Sequence, residues 1–128
     1  MSEQHELPYA IRRWTFDRFL IIELHGEIDI LVAAANSDLL AGQDLDRQPD
    51  VVVDLTGVTF IDCSGLGVLC QLANRLRRRG RLLRLVVVAD SFTLKLLRAT
   101  RLTEVFLIHD SLSAALSHSD GAAEVPAS

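Results

Sequence analysis

The amino-acid sequence predicts a single α/β domain, with a mixed β-sheet, an N-terminal β-hairpin and then helices and strands in alternation. Three observations predict it. The runs Phe19–Leu24, Val51–Leu55 and Leu82–Ala89 read as strands, and Val51–Leu55, without polar alternation, as one covered on both faces. The stretches between and after them repeat apolar residues at helical spacing and begin with capping residues. Alternation of this kind implies right-handed crossovers within one sheet. The 128 residues suffice for one domain with one core, and they show no internal repeat and no second domain.

Composition narrows the function classes. Hydrophobic residues make up 49% of the chain and aromatics 5%, so the core is expected to be Leu, Val, Ile and Ala. A net charge of −4 argues against a general affinity for nucleic acid or anionic membrane. The apolar runs are far shorter than the roughly 20 residues of a membrane span. The start, Met1–Glu6, is polar and acidic, unlike a signal peptide. Cys63 and Cys70 fall on one expected helix, too far apart for a disulfide, with no Cys or His cluster to make a metal site. The expectation is a cytoplasmic protein with reduced thiols and no cofactor.

In chain order, residues 1–9 are expected to be flexible, 10–117 to form the domain and 118–128, small and polar, to be disordered. Ala10–Phe16 and Phe19–Leu24 make a hairpin about a tight turn at Asp17-Arg18. Gly26 then supplies the positive φ that a bend needs. Asp29 is a good N-cap for a helix reaching Ala41, with Leu31, Val32, Ala35 and Leu39 on one face and Gly42 as the stop. Gln43–Asp50 is a polar connection, with a short helical continuation at Asp44–Arg47 as an option.

Val51–Leu55 reads as the central strand, and Thr56–Asp62 as a connection packed against the core through Val58, Phe60 and Ile61. The next helix is expected over Ser64–Arg79. Leu66, Leu69, Cys70, Ala73 and Leu76 form its buried stripe, and Ser64, Val68, Gln71, Arg75 and Arg78 an exposed one. Arg77–Arg79 suit the negative end of its dipole and Gly80 ends it. After the strand Leu82–Ala89, Asp90 or Ser91 caps a helix to Thr100, with Phe92, Leu96 and Ala99 inward and Leu94 and Leu97 partly exposed. Val105–Ile108 is the last strand. Asp110 and Ser111 cap a final helix with Leu112, Ala115 and Leu116 inward.

The chemistry concentrates at Asp62-Cys63-Ser64-Gly65-Leu66-Gly67. A dinucleotide fingerprint would need a third glycine where Cys70 stands, and no Lys-Ser/Thr follows to make a P-loop, so close helix packing explains the glycines better. A serine-hydrolase elbow needs glycines two before and two after the serine, where Asp62 and Leu66 stand, and only His25 and His109 could serve as a base. Arg75–Arg84 lacks the aromatic interleaving of a nucleic-acid site and reads as a solvated helix end. Two readings of Ser64 remain. One is a helix cap worth about 1 kcal/mol. The other is a regulated docking face, in which phosphorylation adds about −1.5 to −2 charges beside Asp62 while the helix dipole tolerates them.

The run Val-Val-Asp-Leu-Thr-Gly-Val-Thr-Phe-Ile-Asp-Cys-Ser-Gly-Leu-Gly-Val-Leu at 52–69 resembles the signature of the STAS domain, in its anti-sigma factor antagonist branch. Gly26-Glu27-Ile28-Asp29 and Leu102-Thr103-Glu104-Val105-Phe106 with Asp110-Ser111-Leu112 resemble flanking motifs of that family, in the right order. The resemblance implies a non-enzymatic protein that binds an anti-sigma factor with serine kinase activity and so frees a sigma factor. Phosphorylation at Ser64 would end that binding and a serine phosphatase would restore it. By position, Asp29 and Asp62 match acids near the family's binding face, and Gly65 and Gly67 match its helix start. With Cys63, Val68, Gln71 and Arg75 they make the expected partner-binding set. No direct nucleic-acid or membrane contact is implied, and the expected state is a monomer or weak dimer. The alternative is a STAS scaffold subunit of a larger stress-signalling assembly. Two departures stand out: Cys63 replaces the usual Ser or Thr, and Arg101 stands where the family usually has Gly.

Overall fold

The computed structural model describes residues 9–29 and 50–117. A hairpin, β1 (Tyr9–Phe16) and β2 (Phe19–Ile28), is followed by β3 (Asp50–Ile61), α1 (Cys63–Arg77), β4 (Arg84–Val86), α2 (Phe92–Ala99), a 3₁₀ turn (Leu102–Glu104), β5 (Leu107–His109) and α3 (Leu112–Ser117). The five strands form one sheet in the order β1-β2-β3-β4-β5. The hairpin pairs antiparallel and every other pair is parallel. The mixed α/β sheet read from the sequence is therefore the observed one. The helix expected from Asp29 to Ala41, its stop at Gly42 and the following connection lie outside the described residues, apart from Asp29 and Asp50 themselves.

Alternation of side chains across the pleat explains the apolar central strand. Val51, Val53 and Leu55 join Leu20, Ile22 and Leu24 in one core, which α1 closes with Leu66, Leu69, Leu72 and Leu76 and α2 with Leu94 and Leu97. Val52 points to the other face, where Phe19, Ile21, Val86 and Ala115 of α3 form a second cluster. That cluster also holds Arg84, only 2% exposed, at the centre of the run read as apolar. Its guanidinium donates to the Ala115 carbonyl at 3.3 Å and stacks on the Phe19 ring at 5.4 Å from the centroid. The stacking and the carbonyl partly replace the water that the cation gives up.

Four expectations are corrected. Thr56–Ile61 is not a connection but the continuation of β3, paired with the end of β2 through register shifts around Glu23/His25 and Gly26/Glu27. Gly26, at φ 85, takes the left-handed conformation there. With its partner strand available, the β-branched and aromatic residues of this stretch extend the ladder, and Phe60 is left 44% exposed. Second, β4 is only three residues long because β5 offers just three partners, Leu107, Ile108 and His109. Third, α2 is rotated from its expected phase: Thr93, Leu94 and Leu97 are buried while Phe92 is 57% exposed. Ser91 fixes this rotation by accepting from the Leu94 amide at 3.1 Å. Fourth, the last strand begins at Leu107, because Arg101 at φ 62 starts a 3₁₀ turn that occupies Leu102–Glu104. Arg101 thus adopts the left-handed geometry suited to glycine, so its departure from the family pattern leaves that backbone conformation in place.

Candidate functional site

The ladder carries the site away from the rest of the sheet. Asp54 is the last β3 residue paired with β4, yet β3 runs on beside β2 until Ile28 faces Ile61. Those further residues add roughly 20 Å of strand at about 3.3 Å each. The Asp62 amide then donates to the Ile28 carbonyl at 3.3 Å. Asp29 and Asp62 therefore stand at the ends of adjacent strands, and the chain turns directly into α1.

The helix cap is Asp62, not Ser64. Asp62 has extended backbone, φ −106 and ψ −174, and its Oδ1 accepts from the Gly65 amide at 3.0 Å. Both residue types are good caps. The ladder decides between them, because its last rung leaves Asp62 extended and puts Ser64 inside the first turn. Ser64 is half-buried, and among the described residues its hydroxyl has no hydrogen-bond partner. At the far end, the Gly80 amide donates to the Arg77 carbonyl and the Arg81 amide to the Leu76 carbonyl, a nested pair closed by Gly80 at φ 77.

The expected stripe is less exposed than its phase suggested. Gln71 and Arg78 are exposed, but Ser64, Val68 and Arg75 are half-buried. Val68 packs partly against the main core, and Leu72, which the expected buried stripe omitted, is fully buried. Cys63 is exposed at the first helical position, whereas Cys70 is half-buried and its thiol is raised above its ordinary pKa by that burial. The turn brings together Asp29, Asp62, Cys63, Ser64 and Gly65, with Gly67, Val68 and Gln71 following on the helix. Arg75 lies eleven residues after Ser64, about 16 Å along the axis at 1.5 Å per residue, at the far end of the same helix.

The two glycines differ. A β-carbon at Gly65 would stand 2.7 Å from Ile61 Cγ1 and 2.9 Å from the Ile28 carbonyl oxygen. Glycine is needed there for the helix to seat on the strand ends, as its packing reading supposed. A β-carbon at Gly67 would meet nothing within 4 Å, and the residue is exposed, so the packing reading does not extend to it.

Other chemistry lies elsewhere. His25 shares a 3.2 Å hydrogen bond with Glu23 Oε1 and occupies the space that a side chain at Gly57 would take. Trp14 Nε1 donates to Glu23 Oε2 at 2.8 Å. Burial alone would raise the Glu23 carboxyl, but the hydrogen bonds from His25 and Trp14 and the charges of Arg12 and His25 outweigh it and hold it below its ordinary value. An open cleft of about 340 Å³ lies between the ends of β4 and β5, lined by Val87, Leu94, Ile108, His109 and Asp110 among others. Among the described residues no helix is long and apolar enough to cross a membrane. Beyond β4, Val88 in the connection is 45% exposed, and Phe92 at the start of α2, expected inward, is 57% exposed.

Fold and turn together define a compact α/β domain that presents a capped helix start and an uncommitted serine on a projecting strand pair. The STAS domain model matches residues 11–115, and the chain belongs to the STAS family. It is similar to the anti-sigma-F factor antagonist RsfA of Mycobacterium tuberculosis, 33% identical over 103 residues that cover 79% of this chain and 80% of that one. Among solved structures, an anti-sigma factor antagonist from Mycobacterium paratuberculosis superposes with a TM-score of 0.76 at 23% identity, covering 85% of this chain and 92% of the other. The Bacillus cell fate determinant SpoIIAA in its phosphorylated form superposes with a TM-score of 0.63 at 17% identity, covering 84% and 97%.

Proposed function

We propose that this chain is an anti-sigma factor antagonist switched at Ser64. Unphosphorylated, it binds an anti-sigma factor that is also a serine kinase and so releases a sigma factor. Phosphorylated, it is rejected, and a serine phosphatase resets it. Asp29, Asp62, Cys63, Ser64, Gly65, Gly67, Val68 and Gln71 form the docking face, with Arg75 at its far margin. The protein itself acts as substrate and ligand in the cytoplasm, not as an enzyme.

The observation that carries this reading is the free hydroxyl. Asp62 caps α1, so Ser64 holds no structural hydrogen bond among the described residues and is available as a phosphoryl acceptor. A phosphate there sits near a helix N-terminus, which tolerates negative charge, so the fold survives modification. The same phosphate adds about −1.5 to −2 charges beside Asp62, and an opposed acidic group on the partner then costs several kcal/mol. The relationship to RsfA supports the partner class.

The test is binding of purified wild type, Ser64→Ala and Ser64→Asp to the anti-sigma factor that the chain captures from its native cell, with mass spectrometry for phosphate after incubation with ATP. Ser64→Ala should bind with or without ATP, and wild type should lose affinity as phosphate accumulates on Ser64. Ser64→Asp should melt as a folded protein yet fail to bind. Wild-type affinity in Ser64→Asp refutes the switch.

A further inference from the structure

The two ends of the domain carry opposite charge. β2, β3, β4 and β5 run parallel, and α1 and α2 each return from the end of one strand to the start of the next. The strand ends therefore share one pole with the helix starts, and the strand starts share the other with the helix ends. At the first pole stand Glu27, Asp29, Asp62, Asp90 and Asp110. The second holds Arg18, Arg77, Arg78, Arg79 and Arg81, with Arg98 and Arg101 at the end of α2, against Asp17, Asp50 and Glu104. Asp44 and Asp46, which precede Asp50 in the sequence, leave the arginines in excess.

Helix chemistry accounts for only part of this excess. A helix C-terminus presents about half a negative charge, which one or two cations offset. α1 ends on Arg75, Arg77, Arg78, Arg79 and Arg81, and like charges three or four positions apart repel. Arg77 and Arg78 are exposed and make no ion pair among the described residues. The Arg81 amide donates to the Leu76 carbonyl at 3.0 Å, which keeps Arg81 within a turn of them. The surplus charge costs stability in the described chain and serves nothing there.

The pattern fits an acidic polypeptide. Two guanidiniums already hold one carboxylate at this pole, since Arg18 and Arg81 lie 2.7 and 3.7 Å from the two oxygens of Asp50. Exposed Leu82 follows Arg81 and exposed Phe16 precedes the turn at Arg18, so apolar contact area flanks the charges. Arginine and aromatic residues are enriched together in protein interfaces. A nucleic-acid backbone calls for a stripe of cations and would here meet Asp17 and Asp50, on a chain of net charge −4.

We propose that this arginine pole is a second interaction surface, for an acidic and partly apolar segment of a partner protein. It lies at the other end of α1 from Ser64, about 20 Å along the axis at 1.5 Å per residue. That exceeds the screening length of about 8 Å at physiological salt, so the surface is open in both states of the serine. On the reading of Ser64 as the switch, a partner held at this pole stays with the chain while Ser64 is modified and restored.

The experiment follows the fluorescence anisotropy of a labelled peptide of repeated Glu-Glu-Leu and of a labelled single-stranded oligonucleotide of equal charge. The proteins are wild type, Arg77→Gln/Arg78→Gln, Arg12→Gln/Lys95→Gln and Ser64→Asp. Wild type should bind the peptide at low ionic strength, more tightly than the oligonucleotide, and release it as salt is raised. Arg77→Gln/Arg78→Gln should bind the peptide at least roughly fivefold more weakly. Its Tm should be unchanged or higher, since repelling charges are removed from a helix end that keeps others. Arg12→Gln/Lys95→Gln removes the same charge elsewhere and should bind as wild type does, as should Ser64→Asp. No peptide binding by wild type, tighter binding of the oligonucleotide, or equal weakening in the two double variants overturns the proposal. A lower Tm in Arg77→Gln/Arg78→Gln overturns it as well, because the arginines would then serve the helix. Loss of the peptide in Ser64→Asp overturns the separation of the two surfaces. The Ser64 switch stands or falls separately, on binding of the anti-sigma factor.

Discussion

Replacing Gly65 with alanine should destabilise the protein, although alanine is the better helix former. The new methyl would lie 2.7 Å from Ile61 Cγ1, 2.9 Å from the Ile28 carbonyl oxygen and 3.2 Å from Ile28 Cγ2. Ile28 and Ile61 are 2% and 1% exposed and are register partners at the end of the ladder, so neither can swing aside cheaply. The Ile28 carbonyl also accepts from the Asp62 amide, which ties it to the turn. Overpacking of this kind costs about 1–3 kcal/mol, and the helix gains back at most about 1. The net loss should be about 1–2 kcal/mol. Gly67→Ala, two residues on, makes no contact and should gain up to about 1 kcal/mol. Urea unfolding followed by circular dichroism, or by fluorescence of the single Trp14, should separate the two variants by about 2–3 kcal/mol in opposite directions at equal m. A Gly65→Ala variant as stable as Gly67→Ala would refute the seating of α1 on the strand ends. Because Gly65 adjoins Ser64, the destabilised variant should also lose affinity for the partner.

Asp62→Ala should lower stability by about 1 kcal/mol through the lost cap, whereas Ser64→Ala should change it by less than about half that; the two denaturation midpoints decide, and equal losses would contradict the assignment of the cap to Asp62. Arg84→Met should stay close to wild-type stability, since a buried charge gives way to an apolar chain of similar length. Arg84→Ala, which also empties the space over Phe19, should lose about 2–4 kcal/mol in the same assay. Glu23 is held below its ordinary value of about 4.5 in the folded state, so its ionised form contributes stability that is present above the unfolded pKa and fades as the pH falls through the folded one. Glu23→Gln should therefore be less stable than wild type at pH 7, with the gap narrowing below about pH 4.5 in pH-dependent melts. A gap unchanged between pH 7 and pH 3 would remove Glu23 from the acid response.

Much of the site was legible because it is local. A strand, a capping acid, a serine and two glycines follow one another in Asp54–Gly67, and the STAS resemblance rests on that run. Which acid or hydroxyl caps the helix was not legible, because Asp62 and Ser64 are both competent and the last rung of the ladder makes the choice. The phase of α2 was misread for a related reason. Eight residues are barely two turns, so Phe92, Leu94, Leu96 and Leu97 suit either face. Ser91 and the depth of the main core select Leu94 and Leu97.

The sequence by itself determined the class of the sheet, the position of the central strand, the start of α1 at the Asp62-Cys63-Ser64 turn and the glycine that ends it at Gly80, because periodicity and capping are short-range properties. Only the tertiary structure decided that Thr56–Ile61 is strand, because a ladder depends on a partner, β2, that lies remote along the chain. It also separated two glycines that look alike in sequence. Gly65 has Ile28 and Ile61 pressed against it and Gly67 has open space above it, a difference set by what surrounds each residue in three dimensions.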